Sequence, residues 1–136
     1  MSASLYIVVE GEDPGFNIYV NGQAMARNED GLSKLAQRLR VQPLLDFFSA
    51  DENSVSLLLE VGAGNPNWVR SLPPPQWFSP EEGLTTVRTL LDFLEKNPMV
   101  FGHDNWPVIC ELCEYETVLR KTSERGLHWQ LAVSWE

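Results

Sequence analysis

The sequence predicts an α+β fold in which an antiparallel sheet, an N-terminal meander plus a C-terminal strand, carries helices on one face. Strand-like segments lie near both ends of the 136-residue chain, and helix-like apolar stripes occupy its middle. The last strand must therefore return to the meander, which makes the sheet antiparallel. The length is typical of one domain, so we assign residues 1–136 to a single α+β domain.

The N-terminal segment predicts three strands. Leu5–Val9 is almost continuously apolar and rich in β-branched residues, as a strand covered on both faces would be. Phe16–Val20 alternates apolar with polar or amphipathic residues, which indicates a half-buried strand. The dipeptide Asn21-Gly22 suits a type I′ turn, in which both residues have positive φ. We therefore expect Gln23–Arg27 to return as a third strand.

The middle of the chain predicts helices separated by irregular segments. Asn28 or Asp30 can cap a first amphipathic helix. Its apolar stripe comprises Leu32, Leu35, Ala36 and Leu39. Pro43 can open a short second helix that ends near Phe48. Val55–Val61 fits either a buried strand or a buried helix, and 62–76, with its proline triplet, predicts a long surface loop.

The C-terminal half predicts two long helices and a final strand. Ser79 is placed as the N-cap of the first, with Pro80 as its first residue and Glu82 as the partner in a capping box. An apolar stripe continues until the Asn97-Pro98 stop. The stripe comprises Leu84, Val87, Leu90, Leu91 and Leu94. The second helix begins near Pro107, buries Val108, Leu112, Tyr115 and Leu119, and ends at Gly126. Residues 128–135 alternate strictly, which predicts a strand with Trp129, Leu131, Val133 and Trp135 on its core face.

The charge balance restricts the classes of partner. The formal net charge is −9, so the surface repels nucleic-acid phosphates and anionic membranes. Such charge serves solubility, or it favours a partner with a basic face. No apolar stretch is long enough for a signal peptide core or a membrane span, and two cysteines do not form a secreted disulfide framework. We expect a soluble, cytoplasmic protein.

Cys110-Glu111-Leu112-Cys113 is the one metal-like or redox-like motif. Redox chemistry needs a cysteine at a helix N-terminus, whereas this pair lies inside a predicted helix among acids that raise thiol pKa values. A zinc site completed by His103 and His128 matches none of the common spacings. Two small apolar side chains on or beside a packed face are the simpler interpretation. We predict no metal and no cofactor.

No other catalytic constellation is recognisable. The chain has no nucleophile elbow, no dinucleotide-binding glycine motif and no P-loop, so we leave enzymatic activity uncertain and favour a non-enzyme. The acidic turn Glu10, Glu12 and Asp13 offers oxygen ligands but lacks the calcium-loop pattern, and a solvated turn explains it. A pair of carboxylates for acid–base work has no specific support.

The tryptophans suggest a recognition surface. Trp68, Trp77 and Trp106 lie in or beside irregular segments, where tryptophan usually covers the edge of a core. Tryptophan also dominates binding hot spots, and exposed aromatics ringed by acids suit a basic partner. The predicted partner-binding residues are therefore Glu10, Glu12, Asp13, Trp68, Trp77 and Trp106.

The stretch Gln76–Leu84, Gln-Trp-Phe-Ser-Pro-Glu-Glu-Gly-Leu, runs into a helix and resembles small bacterial domains to which no activity is attached. The resemblance covers about a fifth of the chain. It implies no functional residue for this chain.

Two hypotheses of function follow. The first is a non-enzymatic protein-interaction module. One form is an immunity-type inhibitor that masks a basic toxin, which rests on analogy of charge and size alone. Another form is a homodimer paired through a strand edge. The second is a small-molecule or metal-binding domain, including a weakly marked enzyme. Its pocket would lie between the sheet and Gly62–Trp77, with Cys110, Cys113, His103 and His128 as candidates.

Overall fold

The computed structural model describes residues 3–11, 14–48 and 76–135. Strand β1 (Ala3–Val9) is followed by helices α1 (Gln23–Arg27) and α2 (Glu29–Arg38) and a 3₁₀ turn (Leu44–Phe47). Helix α3 (Pro80–Lys96), a second 3₁₀ turn (Gly102–Asp104), helix α4 (Asn105–Glu124) and strand β2 (Trp129–Trp135) complete the order. The α+β class is confirmed. The prediction for Val55–Val61 and the loop at 62–75 lie outside the described residues.

The sheet joins the two ends of the chain, as predicted. Strands β1 and β2 pair antiparallel, with Ile7 opposite Leu131 and Val9 opposite Trp129. Directly opposed residues share a face, so these four side chains form the core face of the sheet. All four are at least 95% buried, and they belong to one cluster of buried apolar residues.

Strand β2 has neighbours on both sides. Opposite β1, its Trp129 exchanges two main-chain hydrogen bonds with Phe78, at 2.8 and 3.0 Å, and Leu131 forms a bridge with Phe48. The Trp129 indole packs against the Phe47 ring, with 4.9 Å between the ring centroids, and donates to Ser79 O at 3.1 Å. The β2 side of the sheet is thus closed at Trp129 by main-chain pairing.

Helices α3 and α4 form an antiparallel hairpin that covers the core face. Hydrogen bonds tie them together at Ser123–Glu81 and Arg88–Glu116. Their facing side chains are completely buried, which confirms most of the predicted stripes: Val87, Leu90, Leu94, Val108, Leu112, Tyr115 and Leu119. Gly83 lets α3 approach the sheet, because a Cβ there would lie 2.5 Å from the Trp129 ring. No helix of the described segments is long and apolar enough to cross a bilayer.

The capping prediction holds in part. Ser79 is the N-cap residue of α3 and Pro80 its first residue. The capping box with Glu82 is absent, because the Ser79 hydroxyl donates to Glu81 Oε2 at 2.6 Å instead. Helix α4 begins at Asn105, two residues before the predicted start, and Gly126 follows its end with φ of +67°.

The predicted meander is wrong beyond its first strand. Phe16–Val20 has no ladder, and Gln23–Arg27 is helix α1 rather than a strand. Gly22 has φ −112° and ψ 20°, so Asn21-Gly22 is not a type I′ turn. The physical reason lies in α4, whose carboxylates bind the backbone N–H groups that begin α1 (described below). Tertiary hydrogen bonds therefore override the local hairpin pattern.

Candidate functional site

Glu10, the first acid after β1, is bound to His128, the residue that precedes β2. Glu10 Oε1 lies 2.6 Å from His128 Nδ1 and accepts the His128 backbone N–H at 2.8 Å. The hydrogen bond from the His128 side chain holds the pKa of Glu10 below its usual value. Glu12 and Asp13 lie outside the described residues. Glu10 thus has an internal partner that helps to close the sheet.

The described tryptophans of the predicted surface lie apart. Trp77 is 41% exposed and precedes α3, whereas Trp106 is 71% exposed in the first turn of α4. Because α3 and α4 run antiparallel, the two residues stand at opposite ends of the hairpin. Their separation along the 17-residue α3 is about 25 Å. Trp68 is outside the described residues. The side chains of Trp77 and Trp106 are therefore too far apart to form one contact cluster.

Trp106 belongs instead to an exposed apolar turn, which we name the α3–α4 turn (residues 97–106). Met99 is 79% exposed and Val100 42% exposed in the same connection. The prediction from sequence missed both residues. The signal that could have indicated them is an apolar run, Met99 to Phe101, placed directly after the Asn97-Pro98 stop, where a solvated turn is normally polar.

Hydrogen bonds from buried and half-buried side chains hold the α3–α4 turn in place. The buried Asn105 side chain accepts the Phe101 N–H at 3.3 Å. Asp104 binds Arg27 at 3.3 Å and the Asn28 amide at 2.9 Å, which ties the turn to α1 and α2. The bond from Arg27 lowers the pKa of Asp104. The exposed apolar side chains therefore stand on an ordered connection.

The cysteines and histidines do not assemble into a site. Cys110 and Cys113 are in α4 as predicted, but both are exposed and free, so they are not on a packed face. Burial, followed by the neighbouring Cys110, raises the pKa of Cys113, which reduces its thiolate fraction. His103 is exposed in a 3₁₀ turn, and His128 binds Glu10. Among the described residues, no three His, Cys, Asp or Glu side chains are grouped to hold a metal ion.

A buried carboxylate that the sequence reading missed holds α1 in place. Glu111, on α4 and only 6% exposed, accepts the backbone N–H groups of Ala24 at 3.0 Å and Met25 at 2.9 Å. Burial raises the pKa of Glu111, while the two N–H donors act in the opposite direction. The N–H groups at a helix start need such acceptors. Glu111 therefore serves as the N-terminal cap of α1 from a distant helix.

Two further α4 side chains bind the same flank. Glu114 accepts the Asn21 N–H at 3.1 Å, and the buried Tyr115 hydroxyl donates to Leu5 O. Burial raises the pKa of the Tyr115 hydroxyl well above its usual value, which keeps it a donor. Gly22 packs directly on β1, because a Cβ there would lie 1.7 Å from Leu5 O. The segment before α1 is thus attached to the sheet through α4.

A cleft of about 480 Å³ opens between β1 and residues 17–20. Its volume lies within the range of ligand-binding pockets. Its walls are mainly apolar or aromatic, with hydroxyl groups at one end. The lining side chains include Tyr6, Val8, Ile18, Tyr19, Ser4 and Ser134.

Comparison of the chain with protein-family models, curated proteins and solved structures gives no match. The resemblance of Gln76–Leu84 to small bacterial domains therefore stays a prediction.

Proposed function

We propose that the chain is a non-enzymatic protein-interaction module that contacts a basic protein through the α3–α4 turn. The observation that carries this proposal is that one short connection holds two large, highly exposed apolar side chains, Trp106 at 71% and Met99 at 79%. Large apolar side chains are normally withdrawn from water, and adjacent exposed ones mark interaction sites. Tryptophan in particular is enriched among residues that dominate binding energy.

The order of the turn supports the same role. Asn105 and Asp104 hold the connection by hydrogen bonds to Phe101, Arg27 and Asn28. A contact surface that is already ordered loses less conformational entropy when it binds. Trp106 and Met99 therefore stand on a support that suits recognition of a second protein.

The charge of the chain supports a basic partner. The formal net charge is −9, and opposite charge accelerates encounter and rejects acidic competitors. An inhibitor that masks a basic protein site is one concrete form of this proposal. We place the module in the cytoplasm, because Cys110 and Cys113 are free and exposed, and exposed thiols stay reduced in that compartment.

The test is affinity capture from source-cell lysate at low and at high salt, with bound proteins identified by mass. We expect the wild-type chain to retain a basic protein at low salt and to release it at high salt. Trp106→Ala should weaken binding of that purified protein by at least about tenfold. Tyr19→Ala is the matched control, because Tyr19 is an equally exposed aromatic residue outside the turn.

Three outcomes would refute the proposal. The captured protein could bind Trp106→Ala as tightly as the wild type, which would place the contact elsewhere. The captured protein could be acidic or insensitive to salt, which would remove the electrostatic argument. The chain could retain only its own copies, in which case the surface serves a homodimer.

A further inference from the structure

The outer edge of β1 is only partly occupied. The Leu5 N–H points away from β2 and donates to Gly22 O at 3.1 Å. Residues two apart in a strand direct their main-chain groups to the same side, so the N–H and C=O of Ile7 also point away from β2. Within residues 3–11, 14–48 and 76–135, neither Ile7 group has a hydrogen-bond partner.

Residues 17–20 run beside this edge without pairing with it. Their chain joins β1 closely where Gly22 meets Leu5, and Val20 is buried against the core. Between that junction and the rest of β1 the two segments separate and enclose the cleft. Ile7 lines the cleft although its side chain is 2% exposed in the core. Its contribution to the wall is therefore the unpaired main chain.

The chemistry of the walls selects the occupant. The lining residues that the structure describes are all uncharged, in a chain whose net charge is −9. Tyr6, Val8, Ile18 and Tyr19 supply apolar and aromatic surface, and Ser4 and Ser134 supply hydroxyls. A charged ligand would lose its hydration here without gaining a counter-charge. A ligand of this cleft must instead offer hydrogen-bond partners to the Ile7 main chain and cover the apolar side chains.

We propose that this cleft binds an extended, uncharged peptide segment that pairs with the main chain of β1 at Ile7. The peptide carbonyl accepts the Ile7 N–H, a peptide N–H donates to the Ile7 carbonyl, and alternate side chains cover Tyr6 and Val8. Addition of a strand to an open sheet edge is a general mode of peptide recognition, in which main-chain bonds supply affinity and pockets supply specificity. This site is independent of the proposed function, because it uses β1 rather than the α3–α4 turn.

The experiment selects short linear peptides from a phage-displayed library on the wild-type chain and follows the Ile7 amide by NMR. We expect uncharged sequences with alternating β-branched or aromatic residues to be enriched. A bound peptide should slow hydrogen exchange of the Ile7 amide. Methylation of the peptide nitrogen that donates to Ile7 should lower the affinity by about tenfold, since it removes one buried hydrogen bond.

Two equally exposed aromatic residues provide the controls. Tyr19→Ala removes one cleft wall and should weaken the selected peptide by about fivefold or more. Trp106→Ala should leave peptide binding unchanged, while it weakens the separate interaction proposed for the α3–α4 turn. Both positions are 71% exposed, so both variants should fold, and circular dichroism verifies this.

Several results would overturn the inference. A library that enriches no sequence, or enriches charged ones, would exclude an uncharged peptide. If methylation at every peptide nitrogen leaves the affinity unchanged, the ligand does not pair with β1. If the Ile7 amide becomes protected as protein concentration rises, without peptide, the edge binds a second copy of the chain instead.

Discussion

The two edges of the sheet are completed by different means. The β2 edge is closed at Trp129 by two main-chain hydrogen bonds to Phe78, and the Phe47 ring packs against the Trp129 indole. Among the residues that the structure describes, the outer edge of β1 has one main-chain hydrogen bond, from the Leu5 N–H to Gly22 O, and its flank is attached by α4 side chains. Main-chain pairing sets the position of one segment along the neighbouring strand, whereas a side-chain hydrogen bond holds a segment only at the residue that it contacts. Within the described residues, this difference accounts for the cleft beside β1.

The largest expected effect is the difference in stability between two glycine-to-alanine variants, one on each edge of the sheet. At Gly22 a new methyl group would meet the Leu5 main chain at 1.7 Å, and those atoms cannot move without β1. We expect Gly22→Ala to lower the free energy of unfolding by more than about 3 kcal/mol. At Gly83 the methyl would meet the Trp129 ring at 2.5 Å, but alanine favours the helix. The net loss for Gly83→Ala should be about 1 kcal/mol.

Urea unfolding of both variants measures this difference. Gly31→Ala is the control, because its methyl would have one close contact, at 2.8 Å, with the half-buried Phe101 ring. We expect its stability to stay within about 1 kcal/mol of the wild type. A larger loss at Gly83 than at Gly22 would reverse the comparison and make the β2 edge the tighter one.

The second prediction concerns the attachment of the β1 flank. Glu111→Ala leaves the N–H groups of Ala24 and Met25 without an acceptor in a buried site. We expect a loss of about 2 kcal/mol in the free energy of unfolding, together with faster amide exchange across α1. Glu114→Ala is the matched control, because it removes a single acceptor from the exposed Asn21, whose N–H can bind water.

The result separates two accounts of α1. If Glu111→Ala and Glu114→Ala have equal, small effects, the helix is held by its apolar contacts alone. The β1 flank would then owe little to α4 carboxylates, and the explanation given for the failed hairpin would be incorrect.

The smallest expected effect is a pH dependence of stability at Glu81, where the start of α3 meets the end of α4. Hydrogen bonds from Ser123 and Ser79 lower the pKa of Glu81 to about 2. A carboxylate whose pKa is lower in the folded than in the unfolded chain stabilises the fold above its unfolded pKa. This stability is lost as the pH falls from about 4.5 to about 2. Glu81→Gln should therefore flatten the acid limb of the stability curve.

Thermal unfolding across this pH range tests the effect. Glu82→Gln provides a neighbouring exposed carboxylate without these serine bonds, and it should retain the wild-type slope. An unchanged slope in Glu81→Gln would show that the serine bonds break in solution and that Glu81 does not help to join α3 to α4.

The same comparison shows what could be predicted from the sequence. The stripes of α3 and α4 and the alternation of β2 report local periodicity, and the structure follows them. Phe16–Val20 also alternates, yet the segment predicted to return and pair with it, Gln23–Arg27, begins with N–H groups bound by α4, where Glu111 is 87 positions from Ala24. A pattern read along the chain contains no information on such a distant acceptor. It therefore predicts the hairpin that the isolated segment would favour.

For the candidate site, too, local features could be predicted from the sequence and contacts with distant residues could not. Trp106 lies beside an irregular segment, as expected, but its exposure depends on how Asn105 and Asp104 hold the turn. The partner of Glu10 is 118 positions away at His128, so its engagement could not be inferred from the acidic turn. The cleft beside Ile7 results from a ladder that does not form, which no composition or spacing indicates.

The pairing of β1 with β2 also has a kinetic consequence. Almost every residue of the described chain separates Ile7 from its partner Leu131, so closing the sheet costs the entropy of one very long loop. Contacts of this separation slow folding relative to a helical hairpin such as α3–α4, which can form early. During synthesis β1 emerges before β2 and cannot form the sheet until β2 has been made. In that interval the main-chain groups of β1 lack their β2 partners, and unpaired strand edges favour premature association.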